Sequence, residues 1–162
     1  MGLMDAKDYD PRPEKRRKRL VATCTLMTAI ALAAWVAFRH WPEKHAVDSF
    51  FKEIEAGNLE QAYGRYTGDV HWQDHPADHQ MYTFGQFRLD WGPSGSYGTI
   101  TQHHVECVTD PPKKSYGPAS GVIAVVTVNQ RSEPVSLWVE KSSKSITISP
   151  LDCTRDCRQC QY

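Results

Sequence analysis

The feature that most constrains this chain is an uncharged apolar run over residues 20–38, which directly follows five consecutive basic residues at 15–19. At about 1.5 Å per helical residue, the run spans roughly 28 Å, close to the ~30 Å hydrocarbon core of a bilayer. Near its other end only Arg39 and Lys44 are basic. Because basic residues remain on the cytoplasmic side of a membrane, we expect the N-terminus in the cytoplasm and everything after about His40 outside it.

A cleaved secretion signal is the main alternative to a membrane anchor. The apolar part of such a signal has about 7–15 residues and ends at a cleavage site made of small residues. The best candidate site, Ala-Leu-Ala at 31–33, lies inside the apolar run. Trp35 and Trp41, near the outer end, are typical of an interfacial aromatic belt. We therefore expect residues 20–41 to form an uncleaved single-pass helix in a bacterial cytoplasmic membrane.

Charge is divided between the two ends of the chain. Residues 1–19 carry seven Lys/Arg and four Asp/Glu, whereas the remainder carries twelve and fifteen. With two prolines and no apolar periodicity, residues 1–19 are predicted to be a disordered basic cytoplasmic tail. No basic stripe remains in the exported part, so we do not expect a nucleic acid partner. The expected partners are the membrane, a protein of the cell envelope and a second copy of the chain.

Self-association is suggested by small residues in the apolar run. Thr25, Ala29, Ala33 and Ala37 recur every four residues. Such a stripe allows two membrane helices to approach closely. The pattern therefore favours a homo-oligomer formed through the transmembrane helix.

Residues 42–150 are predicted to form one exported domain that begins with helices. Pro42 suits the first turn of a helix, and residues 46–54 place apolar side chains at helical spacing. The opposite, polar face of this helix is predicted to carry Glu43, Lys44, Asp48, Lys52 and Glu53. Gly57 is predicted to end this helix and Asn58 to cap the next. A third helix is predicted to open at Pro76 and to include Met81, Phe84, Phe87 and Leu89.

After Gly98 the pattern becomes strand-like. The segment at 121–129 is so rich in β-branched residues that both of its faces should be covered. The predicted fold is therefore α+β, with three helices packed on a curved four-stranded antiparallel sheet. The predicted strands are 99–108, 121–129, 134–141 and 145–149.

The helix pair VDSFFKEIEAGNLEQAYGRYTGD, at 47–69, and the order of elements after it resemble the nuclear transport factor two-like superfamily. The phrase DWGPSGSYGTI, at 90–100, also resembles one found in small membrane-anchored bacterial proteins of this kind. The resemblance implies a cone-shaped α+β domain that encloses a pocket. Members act as isomerases, dehydratases, polyketide cyclases, secretion components or binding modules, so it implies no single activity. The cone walls would come from Phe50, Phe51, Tyr63, Phe84, Phe87, Val125 and Trp138.

Cysteines give the strongest chemical signal. Besides Cys24 in the apolar run, the chain has Cys107 and, in the tail at 151–162, Cys153, Cys157 and Cys160. An even number in an exported domain favours two disulfides, with three pairings open. A four-thiolate zinc site and a redox pair formed by Cys157 and Cys160 are the alternatives.

Histidines and carboxylates give weaker signals. His71, His75 and His79 recur every four residues, but Pro76 prevents one uninterrupted helix through all three, which favours a solvated loop over a metal cluster. His103 and His104 are adjacent in a strand and should face opposite sides.

Catalytic motifs are missing from the sequence. It contains no G-x-S-x-G, no phosphate-binding glycine loop and no H-E-x-x-H. Asp90 and Glu106 are the candidates for a buried general base, and a surface position is favoured for both. We expect a non-catalytic binding or scaffold domain that needs no cofactor and takes a small apolar ligand or an envelope protein. The alternatives are a cone-type isomerase or dehydratase, and a thiol or metal protein acting through the tail cysteines.

Overall fold

Helix α1 spans Arg12–Phe38 in the computed structural model, which describes residues 12–112 and 119–161. The chain divides into two units, Met1–Arg39 and His40–Tyr162. Residues 12–19, predicted to be disordered, are helical, because Lys, Arg and Glu favour helices and Pro13 is tolerated in a first turn. Residues 1–11, which the same prediction covers, lie outside the described residues.

The apolar helix expected from the sequence is present. Within Arg16–Glu55, one helical stretch is long and apolar enough to cross a membrane, judged by its length and composition alone, and its most apolar window is wholly unburied. Large apolar side chains such as Leu26, Ile30 and Val36 are exposed along it. The helix is thus confirmed, while its insertion into a membrane stays a prediction.

The second unit begins with the two helices that the sequence pattern predicts. Helix α2 spans Trp41–Glu55 with a proline in its first turn, and α3 spans Leu59–Thr67. Gly57, with φ of +78°, makes the turn between them. Asn58 precedes α3 but does not cap it, because its side-chain amide donates to Glu53 Oε2 at 3.1 Å instead.

The predicted third helix starts later than expected. Pro76–His79 forms only a short 3-10 helix, after another at Trp72–Asp74, and helix α4 spans Phe84–Trp91. Thr83 caps α4 together with Gln86 in a reciprocal capping box, which fixes the start of the helix. Met81 therefore lies before α4 and is 97 % exposed.

Four antiparallel strands follow in the order β1-β2-β3-β4. The α+β class with a four-stranded antiparallel sheet is thus confirmed. A bulge between Val105 and Cys107 shifts the register of β1 against β2. The tail adds a separate two-stranded ladder, β5–β6. The strands are β1 His103–Thr109, β2 Gly121–Val128, β3 Val135–Glu140, β4 Ile146–Ile148, β5 Asp152–Cys153 and β6 Cys160–Gln161.

The sheet is covered on both faces, as the composition of β2 predicted. Side chains alternate between the faces. Val122, Ala124 and Val126 lie in the main core with α2, α3 and α4. Ile123 and Val125 lie on the other face, in a smaller cluster beneath the tail.

A partly buried ion pair joins the first turn of α2 to the β3–β4 turn. Glu43 was predicted on the polar face of this helix, yet it is only 5 % exposed. Lys144, in the β3–β4 turn, donates to Glu43 Oε1 at 2.5 Å and to the Lys141 carbonyl at 2.6 Å. Burial raises the pKa of Glu43, but the hydrogen bond and charge of Lys144 outweigh burial and lower the pKa overall.

Asn129 holds the segment that leads into β1. It begins the β2–β3 turn with φ of +49°, a conformation that Asn tolerates better than most residues. Its side-chain oxygen accepts from the Thr101 N–H at 2.9 Å, and its amide donates to the Thr99 carbonyl at 2.9 Å. One side chain thus satisfies backbone groups about 30 residues away.

Candidate functional site

The space between the helices and the sheet is filled by aromatic rings. The side chains of Phe50, Phe51, Tyr63 and Phe87 are 0 % exposed. Phe50 lies 5.0 Å from Phe51, 6.1 Å from Phe87 and 5.2 Å from Trp91, measured between ring centroids. These are the separations of directly packed rings. Each fully buried ring contributes roughly 2–3 kcal/mol to folding.

The structure separates the seven residues expected to line a cone. Phe50, Phe51, Tyr63 and Phe87 lie in the main core, and Phe84 packs against it while partly buried. Val125 and Trp138 lie in the cluster on the opposite face of the sheet. The reason is the two-residue period of a strand, which turns Val125 away from its core-facing neighbours Ala124 and Val126.

The tail cysteines form two disulfides. Cys107 is bonded to Cys157, across 50 residues, and Cys153 to Cys160, across 7. Cys153, Cys157 and Cys160 pack with Ile123 and Val125 on the outer face of the sheet. The disulfide interpretation of the sequence is confirmed, and its open pairing is resolved.

This pairing bears on the two alternatives for the cysteines. Cys157 and Cys160 are each bonded to a different cysteine, so they are not one redox pair. Across the described ranges, no three His, Cys, Asp or Glu side chains are grouped as a metal ion would require.

The histidine-rich segment is organised by one carboxylate. Asp69 accepts a hydrogen bond from the His71 backbone N–H at 2.9 Å. Its other oxygen lies 3.2 Å from His75 Nδ1 and 3.1 Å from His79 Nε2. The hydrogen bond from His79 is the main cause that lowers the pKa of Asp69. These contacts hold the loop before α4 in place.

The two candidate general bases are engaged elsewhere. Asp90 is exposed and accepts from the Tyr82 hydroxyl at 2.7 Å. Burial and this hydrogen bond raise the pKa of Tyr82. Glu106 lies at the β1 bulge and accepts from the Thr127 hydroxyl at 2.6 Å. Neither carboxylate faces the aromatic core.

A polar groove lies between α2 and the start of β1, and we call it the α2–β1 groove. It has a volume of about 340 Å³. Its helical wall consists of residues spaced by three or four, which share one side of α2. Its other wall is five consecutive residues, two before β1 and three within it. The lining comprises Lys44, Asp48, Lys52 and Glu55 from α2, and residues 101–105.

His103 forms the floor of the groove. Its side chain is only 6 % exposed, and its ring stacks on Phe51 with centroids 5.1 Å apart. Nδ1 lies 2.7 Å from Glu55 Oε1, and Nε2 lies 3.3 Å from Asp48 Oδ1. His104, the next residue, points to the other face with a side chain 75 % exposed. The expected division of the two histidines is confirmed.

Both nitrogens of His103 face acceptors. A neutral imidazole carries one N–H and satisfies one of these carboxylates, whereas an imidazolium satisfies both. The contacts join α2 to β1.

The carboxylate of Asp48 is shared between His103 and Lys52. Lys52 Nζ lies 2.8 Å from Asp48 Oδ2, at the i,i+4 spacing of a helix. Burial raises the pKa of Asp48, but hydrogen bonds from Lys52 and His103 and the charge of Lys52 outweigh it, so the pKa is lowered. The hydrogen bond to Asp48 in turn raises the pKa of Lys52. The pair remains charged near neutral pH.

Sequence reasoning missed this arrangement. Asp48 and Lys52 were assigned to the polar face of α2, and His103 to a strand, but these positions are separated by about 50 residues. The sequence contains two weak signals that one imidazole is buried against this helix. They are the apolar Phe51 beside Lys52 and the adjacent pair of histidines.

No family model, curated protein or solved structure matches the chain in sequence or fold.

Proposed function

We propose that the chain is a membrane-anchored extracytoplasmic scaffold domain that binds a protein partner of the cell envelope at its surface, without catalysis. The observation that carries this proposal is the packed aromatic core. Where an apolar ligand would enter a cone, Phe50, Phe51, Tyr63 and Phe87 already contact one another. We therefore expect residues on the surface to recognise the protein partner.

The anchor and compartment are supported by two features. The apolar helix directly follows a basic cluster, as in a single-pass helix whose N-terminus is cytoplasmic. Two disulfides in the second unit are typical of a domain outside the cytoplasm. The nuclear transport factor two-like architecture belongs to the same proposal, supported by the helix pair ahead of the antiparallel sheet.

A non-catalytic role is supported by where the ionisable groups lie. The His103 side chain is 6 % exposed and lies between the carboxylates of Glu55 and Asp48. Asp90 and Glu106, the two candidate general bases, accept hydrogen bonds from hydroxyl groups away from the aromatic core. A general base must lie within hydrogen-bond reach of its substrate, so a substrate in the aromatic core would meet neither carboxylate.

Site-specific photocross-linking in native membranes tests the function. Benzoylphenylalanine is placed singly in the full chain at Gln102, in the α2–β1 groove, and at the exposed apolar positions Leu89 and Ile148. We expect a discrete protein adduct from at least one position. Absence of adducts at all three, together with a lipid-sized ligand retained in native mass spectrometry, would overturn surface binding in favour of a ligand-binding cone.

The anchor is tested separately. Alkaline carbonate washing should leave the full chain in the membrane pellet, and external protease should digest the second unit in spheroplasts. Release of the chain into the wash would contradict the anchor.

A further inference from the structure

We infer that the two native disulfides are the product of thiol–disulfide exchange rather than of oxidation alone, so that the chain is a substrate of an exported enzyme with a reactive thiolate, the class of disulfide isomerases. The pairing of the cysteines carries this inference whether or not a partner binds the surface, so it goes beyond the proposed function and shares only its compartment. Three features support it: the order of the cysteines, the lengths of the loops that they close, and the contacts of the folded tail.

The two disulfides alternate along the chain. Among the four cysteines after the apolar run, the first, Cys107, is bonded to the third, Cys157. The second, Cys153, is bonded to the fourth, Cys160. Neither bond therefore joins cysteines that are neighbours in sequence order. An oxidant that joins each cysteine to the next one would give different bonds, Cys107–Cys153 and Cys157–Cys160.

The entropy of the unfolded chain also favours bonds within the tail. The three tail cysteines are separated by 3, 4 or 7 residues, whereas Cys107 and Cys157 are separated by 50. Because the probability of closure falls with about the 3/2 power of loop length, a bond within the tail forms roughly 20- to 70-fold more readily than the long bond. The first oxidation of an unfolded chain therefore takes place among the tail cysteines, and only one of their three pairs is native.

Two of these three tail bonds lead to a mispaired chain. After Cys153–Cys157 forms, Cys160 is left for Cys107, and after Cys157–Cys160 forms, Cys153 is left. The resulting long bonds span 53 and 46 residues, so loop length does not disfavour them against the native separation of 50. Oxidation alone thus leaves most chains with two non-native disulfides and with no thiol in the second unit that could rearrange them.

Exchange corrects such pairs without net oxidation. The enzyme thiolate attacks Cys157 Sγ of a Cys157–Cys160 bond, which forms a mixed disulfide and releases the Cys160 thiolate. That thiolate attacks Cys153 Sγ of a Cys107–Cys153 bond, which forms native Cys153–Cys160 and releases the Cys107 thiolate. Cys107 then attacks Cys157 in the mixed disulfide, which forms the second native bond and returns the enzyme thiolate. The chain has two disulfides before and after, so no oxidant or reductant is consumed.

The folded tail selects the native pairing once exchange is allowed. Cys153 is 5 % exposed, and its N–H donates to Ser136 Oγ, in β3, at 3.0 Å. It lies opposite Cys160 in the β5–β6 ladder. Arg155 donates to two main-chain carbonyls in the turn between β2 and β3, at 2.8 and 3.0 Å. Because these contacts form with the tail docked as the native bonds place it, they favour the native pairing over the other two at equilibrium.

Oxidative refolding of the full chain tests the inference. The chain carries Cys24→Ala, so that only the four cysteines of the second unit react, and it is reduced and unfolded in urea before dilution into detergent micelles. One sample receives diamide, an oxidant without a thiol, and the other receives a mixture of reduced and oxidised glutathione. Trypsin cleaves after Arg155 and Arg158, which places the three tail cysteines on separate peptides, so mass spectrometry without reduction identifies each pairing.

The two oxidants should give different pairings. We expect native pairing in at most about one third of the chains with diamide, and in at least about twice that fraction with glutathione. Mostly native pairing with diamide would show that the fold directs oxidation by itself and would overturn the inference. Mispaired chains that persist with glutathione would overturn it too, because exchange would then not lead to the native bonds.

The exchange step has its own readout. The chain oxidised with diamide is freed of the oxidant and incubated with about one tenth of an equivalent of reduced glutathione. Because each cycle returns the thiolate, most chains should reach the native pairing while the total thiol content stays constant. Conversion limited to the amount of glutathione added, or none at all, would refute the exchange route.

Matched variants test the selection by the folded tail. Ser136→Ala removes the acceptor of the buried Cys153 N–H and should lower the equilibrium ratio of native to mispaired chains at least about fivefold in the glutathione mixture. Ser143→Ala, in the β3–β4 turn, loses only a contact with Ser145 and should leave this ratio unchanged. Circular dichroism verifies that both variants fold. Equal ratios in the two variants would refute the selection.

Discussion

Replacing Cys107 and Cys157 together by alanine should destabilise the second unit strongly. The disulfide closes a loop of 50 residues. In the chain-entropy treatment, a disulfide that closes such a loop restricts the unfolded chain and thereby raises the free energy of unfolding by about 4 kcal/mol at 25 °C. Both cysteines are only partly buried, so their packing adds little. For a domain of this size the loss corresponds to a decrease in Tm of about 15 °C.

The second disulfide supplies the matched control. Cys153 and Cys160 are 7 residues apart, and the same treatment gives about 2 kcal/mol for their loop. Denaturant unfolding of the full chain in detergent micelles, followed by tryptophan fluorescence and far-UV circular dichroism, compares the two double variants. The long-loop variant should lose about 2 kcal/mol more. If it loses the same or less, the tail is held by its packing and hydrogen bonds rather than by the long covalent loop.

Three further predictions follow from individual contacts. Lys144→Met should lower the free energy of unfolding in urea by about 2 kcal/mol, because Glu43 is left buried without its cation. An unchanged unfolding midpoint would show that water replaces the ammonium group. Since the pKa values of Glu43 and Asp48 are lowered on folding, the stability that they contribute is complete above their ordinary values, near 4, and is lost as the pH falls through the folded-state values. Thermal melting between pH 6 and pH 2 measures this loss, which Asp48→Asn should reduce. Asn129→Ala should cost about 1–3 kcal/mol and increase hydrogen exchange at Thr101, whereas exchange unchanged at that amide would contradict the assigned contact.

Features that depend on local sequence were predicted well. The apolar periodicity and Pro42 predicted α2. The β-branched residues predicted β2 and also that both of its faces are covered. The helix expected at Pro76 began instead at Phe84, although Thr83 and Gln86 carry the spacing of a capping box. The capping-box spacing is thus present in the sequence, but Pro76 favoured an earlier start of the helix.

Features that depend on distant residues could not be read from one sequence. His103 meets Asp48 and Glu55 across about 50 residues, and Lys144 meets Glu43 across 101. The sequence shows four cysteines after the apolar run but does not choose among their three pairings. Likewise, Val125 and Trp138 were recognised as apolar, but the face that each occupies depends on register.

The Cys107–Cys157 bond also sets the order in which the second unit can be completed. In a chain made from its N-terminus, Cys107 is in place 50 residues before its partner. Until residues 151–161 follow, Ile123 and Val125 lack the cover that the tail provides. Oxidation before residue 153 can join Cys107 to no other cysteine of the second unit, because none lies between the two positions. The native pairing therefore requires that Cys107 be oxidised only after the tail has reached the outer face of the sheet.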